Sequence, residues 1–119
     1  MKKAVKGPTI APYSPAVVFD NRLVFVSGQL PENTALSITE QTKSSLQRLK
    51  DVLEQSGASL ETVLKTTVFL TDLKDFQEMN DIYKTFFTTE HPARSTVQVA
   101  ALPTGAKLEI EAIAYVAAQ

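Results

Sequence analysis

The spacing of apolar residues changes period several times along this chain, and those changes constrain the fold more tightly than any single residue does. Ala16 to Phe19 and Leu23 to Gly28 are β-rich runs separated by Asp20-Asn21-Arg22, which predicts a hairpin with turn-forming residues at its tip. After a loop from Glu32 to Leu36, Ser37-x-x-Glu40 supplies a capping-box pattern, and a helix is expected from there to about Gln55. Thr42, Leu46, Leu49, Val52 and Leu53 fall on one stripe of it, with Lys43, Gln47, Lys50 and Glu54 toward water. Gly57 suits the left-handed position that stops it. Thr62 to Leu70 is β-branched and apolar on both faces, the pattern of a central strand. Asp72 and Asp75 place acceptors at the start of a second helix, whose inward stripe is Phe76, Met79, Ile82, Tyr83 and Phe86. Strands from Arg94 to Ala100 and from Lys107 to Val116 flank the turn Leu102-Pro103-Thr104-Gly105.

With a short first strand at Lys3 to Val5, the order β-β-β-α-β-α-β-β predicts an α+β fold, a six-stranded sheet with both helices on one face. The other face is then uncovered. Closing the last two strands as a symmetric hairpin about Pro103-Thr104 sets Thr96 opposite Glu111 and Gln98 opposite Glu109. Period-two alternation then gathers Arg94, Thr96, Glu109 and Glu111 on the uncovered side. A mixed charged and apolar sheet face is poorly explained as bare solvent surface, so self-association over it is expected.

The 119 residues fit one domain, 1–119, and 44% hydrophobic with 21% charged residues is the composition of an ordinary globular protein. There is no cysteine, which excludes disulfides, thiolate nucleophiles and Cys-ligated zinc, and the single His91 makes a histidine metal site unexpected. Neither a metal nor an organic cofactor is expected. Twelve basic against thirteen acidic residues leave a net charge of −1, and the basic ones are scattered, so neither nucleic acid nor an anionic membrane is an expected partner. No apolar run approaches the roughly 20 residues of a membrane span, and the basic start Met1 to Lys6 lacks the apolar stretch of a signal peptide. The cytoplasm is the expected compartment.

Six motifs add a likeness. Pro12-Tyr13-Ser14, Val26-Ser27-Gly28-Gln29-Leu30-Pro31, Lys65-Thr66-Thr67-Val68-Phe69-Leu70, Phe76-x-x-Met79-Asn80-x-x-Tyr83-x-x-Phe86-Phe87, Pro92-Ala93-Arg94-Ser95 and Lys107 to Ala114 resemble the Rid (YjgF-like) family in order and spacing, across nearly the whole chain. The resemblance implies a chorismate-mutase-like fold, assembled as a homotrimer with a central β-barrel, helices outside and sites in clefts between subunits. It also implies hydrolysis of 2-aminoacrylate and related enamines and imines, the 2-iminopropanoate and 2-iminobutanoate class, to 2-oxo acids and ammonia. Arg94 matches the family's substrate-carboxylate arginine, and its planar fork suits bidentate binding. Glu109 matches the residue that positions the attacking water, and Tyr13, Ser27 and Asn80 match polar residues lining the cleft. Thr96 stands where a cysteine is common, Ala11 and Pro15 replace a frequent glycine and glutamine, and the loop from Phe87 to Pro92 is short. These departures bear on cleft shape and substrate preference.

Each of these residues also has an ordinary structural alternative. Arg94 after a Pro-Ala turn suits a surface ion pair, Glu109 and Glu111 a solvated strand, Tyr13 simple packing, and Ser27 a bond to backbone. Asn80 in mid-helix is a poor helix former, which points to a role outside the helix itself, elsewhere in the trimer. His91 suits a structural or exposed position, and Phe76, Tyr83, Phe86 and Phe87 suit the core. Two other functions compete with deamination: a non-catalytic module that binds small carboxylates in the same cleft, and a ribonuclease or translation inhibitor, which one histidine and the absence of a basic patch disfavour.

Overall fold

Local signals in the sequence become the turns and caps that set the sheet. A computed structural model of the chain describes residues 1–7, 9 and 11–117. Among these the elements follow the expected order: β1 (Lys2–Val5), β2 (Ala16–Phe19), β3 (Leu23–Gln29), α1 (Ile38–Gln55), β4 (Val63–Leu70), α2 (Phe76–Phe86), β5 (Ala93–Gln98) and β6 (Leu108–Tyr115). Asp20 and Asn21 both sit at φ 52°, and the Arg22 N–H donates to the Phe19 carbonyl at 2.9 Å, closing the β2–β3 hairpin on two residues that tolerate the left-handed region. The Ser37 hydroxyl accepts the Glu40 N–H at 3.2 Å to start α1, and Gly57 at φ 86° ends its last turn. Asp72 caps a short 3-10 turn, Leu73–Asp75, that leads into α2, its carboxylate accepting the Lys74 N–H at 2.9 Å.

The sheet order is β1-β2-β3-β6-β4-β5. Every neighbouring pair is antiparallel except β4 and β5, which are parallel and joined through α2, the kind of crossover that parallel neighbours require. This corrects the expected closing hairpin. Residues 99–107 cross the end of β4, so β6 enters the sheet between β3 and β4 rather than beside β5. There it bonds to a strand on each side and buries Leu108, Ile110, Ala112 and Ala114, which an edge position would not achieve. Thr96 therefore pairs with Val68, Glu109 with Phe69, and Glu111 with Thr67.

The core lies between the two helices and one face of this sheet. Leu46, Leu49 and Leu53 of α1 and Met79 of α2 meet Val24, Val68, Leu70, Leu108 and Ile110, all fully buried. Truncating one of these leucines to alanine would cost about 2–5 kcal/mol. Val52 and Phe86 are only partly buried, and Phe76, expected in the buried stripe, is 38% exposed. Gln41, buried on α1, donates to the carbonyls of Thr34 and Leu36 and accepts the Lys107 N–H at 2.9 Å, tying the loop before α1 to the start of β6.

Among the described residues nothing covers the opposite face. Phe19, Phe25 and Tyr115 are exposed there beside Glu109, Glu111, Thr67 and Lys65. No helix among the described residues is long and apolar enough to cross a membrane.

Candidate active site

Register decides where the candidate residues point. In the parallel β4–β5 ladder Arg94 pairs with Thr66, Thr96 with Val68 and Gln98 with Leu70, and Thr66, Val68 and Leu70 all face the helices. Arg94 and Thr96 are therefore on the helix-covered side, whereas Glu109 and Glu111 are on the uncovered side. This corrects the expectation that all four share the uncovered side. Pairing of β5 with β4 rather than with β6 is what separates them.

Around Arg94 the structure builds a compact seat. Phe76, Asn80 and Tyr83 recur at i, i+4 and i+7 of α2, one stripe of the helix, and the guanidinium lies against that stripe. Its Nη1 donates to Asn80 Oδ1 at 2.7 Å. Its carbon lies 4.8 Å from the Tyr83 ring centroid and 5.6 Å from that of Phe76. Asn80 thus has a partner within its own chain. The Tyr83 hydroxyl shares a 2.8 Å hydrogen bond with that of buried Thr66, and its ring stacks on Phe87 with centroids 4.6 Å apart. Burial raises the Tyr83 phenol above its ordinary pKa, opposed by the Thr66 hydrogen bond and the Arg94 charge. Among the described residues Arg94 forms no ion pair, and the buried Thr96 hydroxyl has no hydrogen-bond partner.

A second group forms on the other side. Register slips between Val26 and Gln29, so that Ser27 and Gly28 together face Glu111 of β6 in a bulge. A Cβ on Gly28 would stand 2.6 Å from the Glu109 carboxyl carbon, so the missing side chain is the slot in which that carboxyl rests. Desolvation by burial, and secondarily the charge of Glu111, raise the pKa of Glu109 above the usual glutamate value. The Ser27 hydroxyl donates to the Ser14 carbonyl at 2.6 Å, tying the bulge to the segment that carries Tyr13. Tyr13 is 55% exposed and, with Gly28, lines a concavity of about 1460 Å³ bounded by Thr9, Pro15, the β3–α1 loop and α1. Arg94 does not line it.

The six expected site residues thus divide into two groups: Asn80, Arg94 and Thr96 gather on the helix-covered side of the sheet, while Glu109 lies on the other side against the bulge that carries Ser27, which is tied through Ser14 to the segment of Tyr13. The first can grip an anion and the second can hold a water beside a carboxylate of raised pKa. Sequence reasoning missed Tyr83, Phe76 and Gly28 as parts of these groups. The signal for the first two was present in the i, i+4, i+7 spacing with Asn80, while Gly28 depends on a bulge that no local pattern announces. His91 is exposed, and among the described residues no cluster of three or more His, Cys, Asp or Glu could hold a metal ion.

The model of a family described as Endoribonuclease L-PSP matches residues 3–116. Over 111 residues the chain is 42% identical to a human 2-iminobutanoate/2-iminopropanoate deaminase, covering 88% of this chain and 80% of that protein. A Yersinia pestis protein of the conserved Rid family, of unknown function, superposes with a TM-score of 0.91 at 38% identity, covering 98% of this chain and all of that one, 100%. E. coli TdcF, solved with bound serine, gives a TM-score of 0.89 at 38% identity, with coverage of 97% and 99%.

Proposed function

Because this chain belongs to the YjgF/Rid family, the one described as Endoribonuclease L-PSP, we propose that it hydrolyses enamines and imines of amino-acid origin to 2-oxo acids and ammonia. The observation that carries this reading is Arg94: a guanidinium held by Asn80 and two aromatic faces, with no acid of its own among the described residues. A half-buried cation so fixed, and with no acid paired to it, suits a carboxylate. The name of the human relative and the serine bound to E. coli TdcF agree with a small substrate of the amino-acid class.

In this mechanism the substrate carboxylate docks in the plane of the Arg94 guanidinium and the enamine tautomerises to the imine. Water held by Glu109 adds to the C=N carbon, the nitrogen takes a proton, and the tetrahedral carbinolamine collapses to ketone and ammonia. Positioning and proton transfer are the contributions asked of the protein. Tyr13 and Ser27 line the water side, and Asn80 and Thr96 the carboxylate side.

Arg94 and Glu109 stand on opposite faces of one sheet, so a cleft that unites them takes one residue from each of two chains. A homotrimer with clefts between subunits satisfies this, and the uncovered face with Phe25 and Tyr115 is the surface it would bury. The ribonuclease of the family's description finds less support: the single histidine is exposed and the net charge is −1. The test is a coupled assay with freshly generated 2-aminoacrylate. Faster release of the 2-oxo acid is expected, falling by roughly 100-fold or more in kcat/KM for Arg94→Ala. Binding of 2-oxo acids without any acceleration would instead indicate a carboxylate sensor.

A further inference from the structure

We infer that Tyr83 is a positioning residue for the Arg94 seat, its ring setting the plane in which the guanidinium meets a carboxylate. This deepens the reading of Arg94 given above and rests on it. Asn80 engages one Nη1 N–H, and the Tyr83 face covers the guanidinium at 4.8 Å. With one flat side covered, the donors that remain free lie in the guanidinium plane, where two parallel N–H···O bonds to a carboxylate form.

Phe76 also lies near the guanidinium, at 5.6 Å, but it is 38% exposed. Tyr83 is only 6% exposed, stacks on Phe87, and is tethered through its hydroxyl to Thr66, which is fully buried on the strand neighbouring Arg94. Packing alone would be served by phenylalanine. The hydroxyl adds an anchor to β4, the strand whose register with β5 fixes the Arg94 backbone, so ring and guanidinium are referred to one pair of strands. Holding the arginine flat before the ligand arrives removes rotamer freedom that binding would otherwise have to freeze. The lowering effect of the Arg94 charge on the Tyr83 phenol is consistent with this proximity.

The experiment compares wild type, Tyr83→Phe, Tyr83→Leu and Arg94→Ala, reading the Kd of 2-oxobutanoate by calorimetry together with KM and kcat for the freshly generated imine. Tyr83→Leu should weaken 2-oxobutanoate binding and raise KM about tenfold, with kcat changed less, and Tyr83→Phe should return both to within about threefold of wild type. A merely structural tyrosine would lower the active fraction, and so apparent kcat, with Kd and KM unmoved; that result overturns the inference. Unchanged 2-oxobutanoate binding in Arg94→Ala would instead remove the carboxylate seat itself. Loss of binding in Arg94→Ala but not in Tyr83→Leu would remove Tyr83 alone. Should Tyr83→Leu fail to fold, wild-type NMR decides: ring current from Tyr83 should shift the Arg94 δ-methylene protons upfield, and random-coil shifts there would refute the stacking.

Discussion

Glu109 shows how environment converts an ordinary residue type into a candidate base. On an exposed strand it would titrate as any surface carboxylate, but here burial against the Gly28 bulge, and then the charge of Glu111, favour its neutral form. If Glu109 holds the water as proposed, the acid limb of the pH–activity profile should lie above the usual glutamate range, because its carboxylate form is lost as pH falls through the raised pKa. Glu109→Gln should lower kcat by about 100-fold or more while leaving KM within about threefold. The linked stability has the opposite sense. A folded-state pKa above the unfolded one gives stability that is full below the unfolded value and lost as pH rises through the folded one. Removing the charge removes that loss. Thermal melts of Glu109→Gln should therefore equal or exceed wild type near neutrality, with the gap closing under acid; a Tm deficit near neutrality would speak against the desolvated carboxylate.

At the scale of elements, the β3 bulge is the device that makes room for the Glu109 carboxyl. Gly28→Ala places a methyl where the Glu109 carboxyl lies, and the atom displaced is the far end of a flexible side chain. The expected outcome is a loss of kcat at little cost in Tm, with the binding of 2-oxo acids retained; unchanged turnover would show that Glu109 needs no such slot. The bulge also marks where legibility in the sequence ends. Helices α1 and α2 and the β2–β3 hairpin were readable because stripes, caps and turn residues are local. The place of β6 was not, since Leu108, Ile110, Ala112 and Ala114 alternate identically in an edge strand or a central one. The facing of β5 was equally hidden: alternation says that Arg94, Thr96 and Gln98 share a side, but both sides are mostly polar or small. Arg94 and Asn80 were legible through motif likeness. Tyr83 reads as core, and it is buried, so its spacing from Asn80 was visible in the sequence but its contact with Arg94 was not.

For the whole molecule, the proposed pairing of Arg94 with Glu109 asks for two chains, since the two lie on opposite faces of one sheet. Each copy offers an anion seat under α2 and a carboxylate over the opposite sheet face, together with exposed aromatics beside that carboxylate and an edge strand, β5, with one side unpaired. Association of identical chains would cover the aromatics and bring the seat of one copy to the carboxylate of the next. Placing a charge on the uncovered face, as in Phe25→Glu, should shift sedimentation from trimer toward monomer and abolish turnover together; an active monomer would contradict a site shared between chains. The most direct measurement is complementation: Arg94→Ala and Glu109→Gln chains, each inactive alone, are unfolded together, refolded as a mixture and assayed for imine hydrolysis. Random assembly would give about a quarter of the clefts an intact Arg94 from one chain and an intact Glu109 from the other, and so recover up to about a quarter of wild-type activity. Mixed oligomers that form but remain inactive would contradict it.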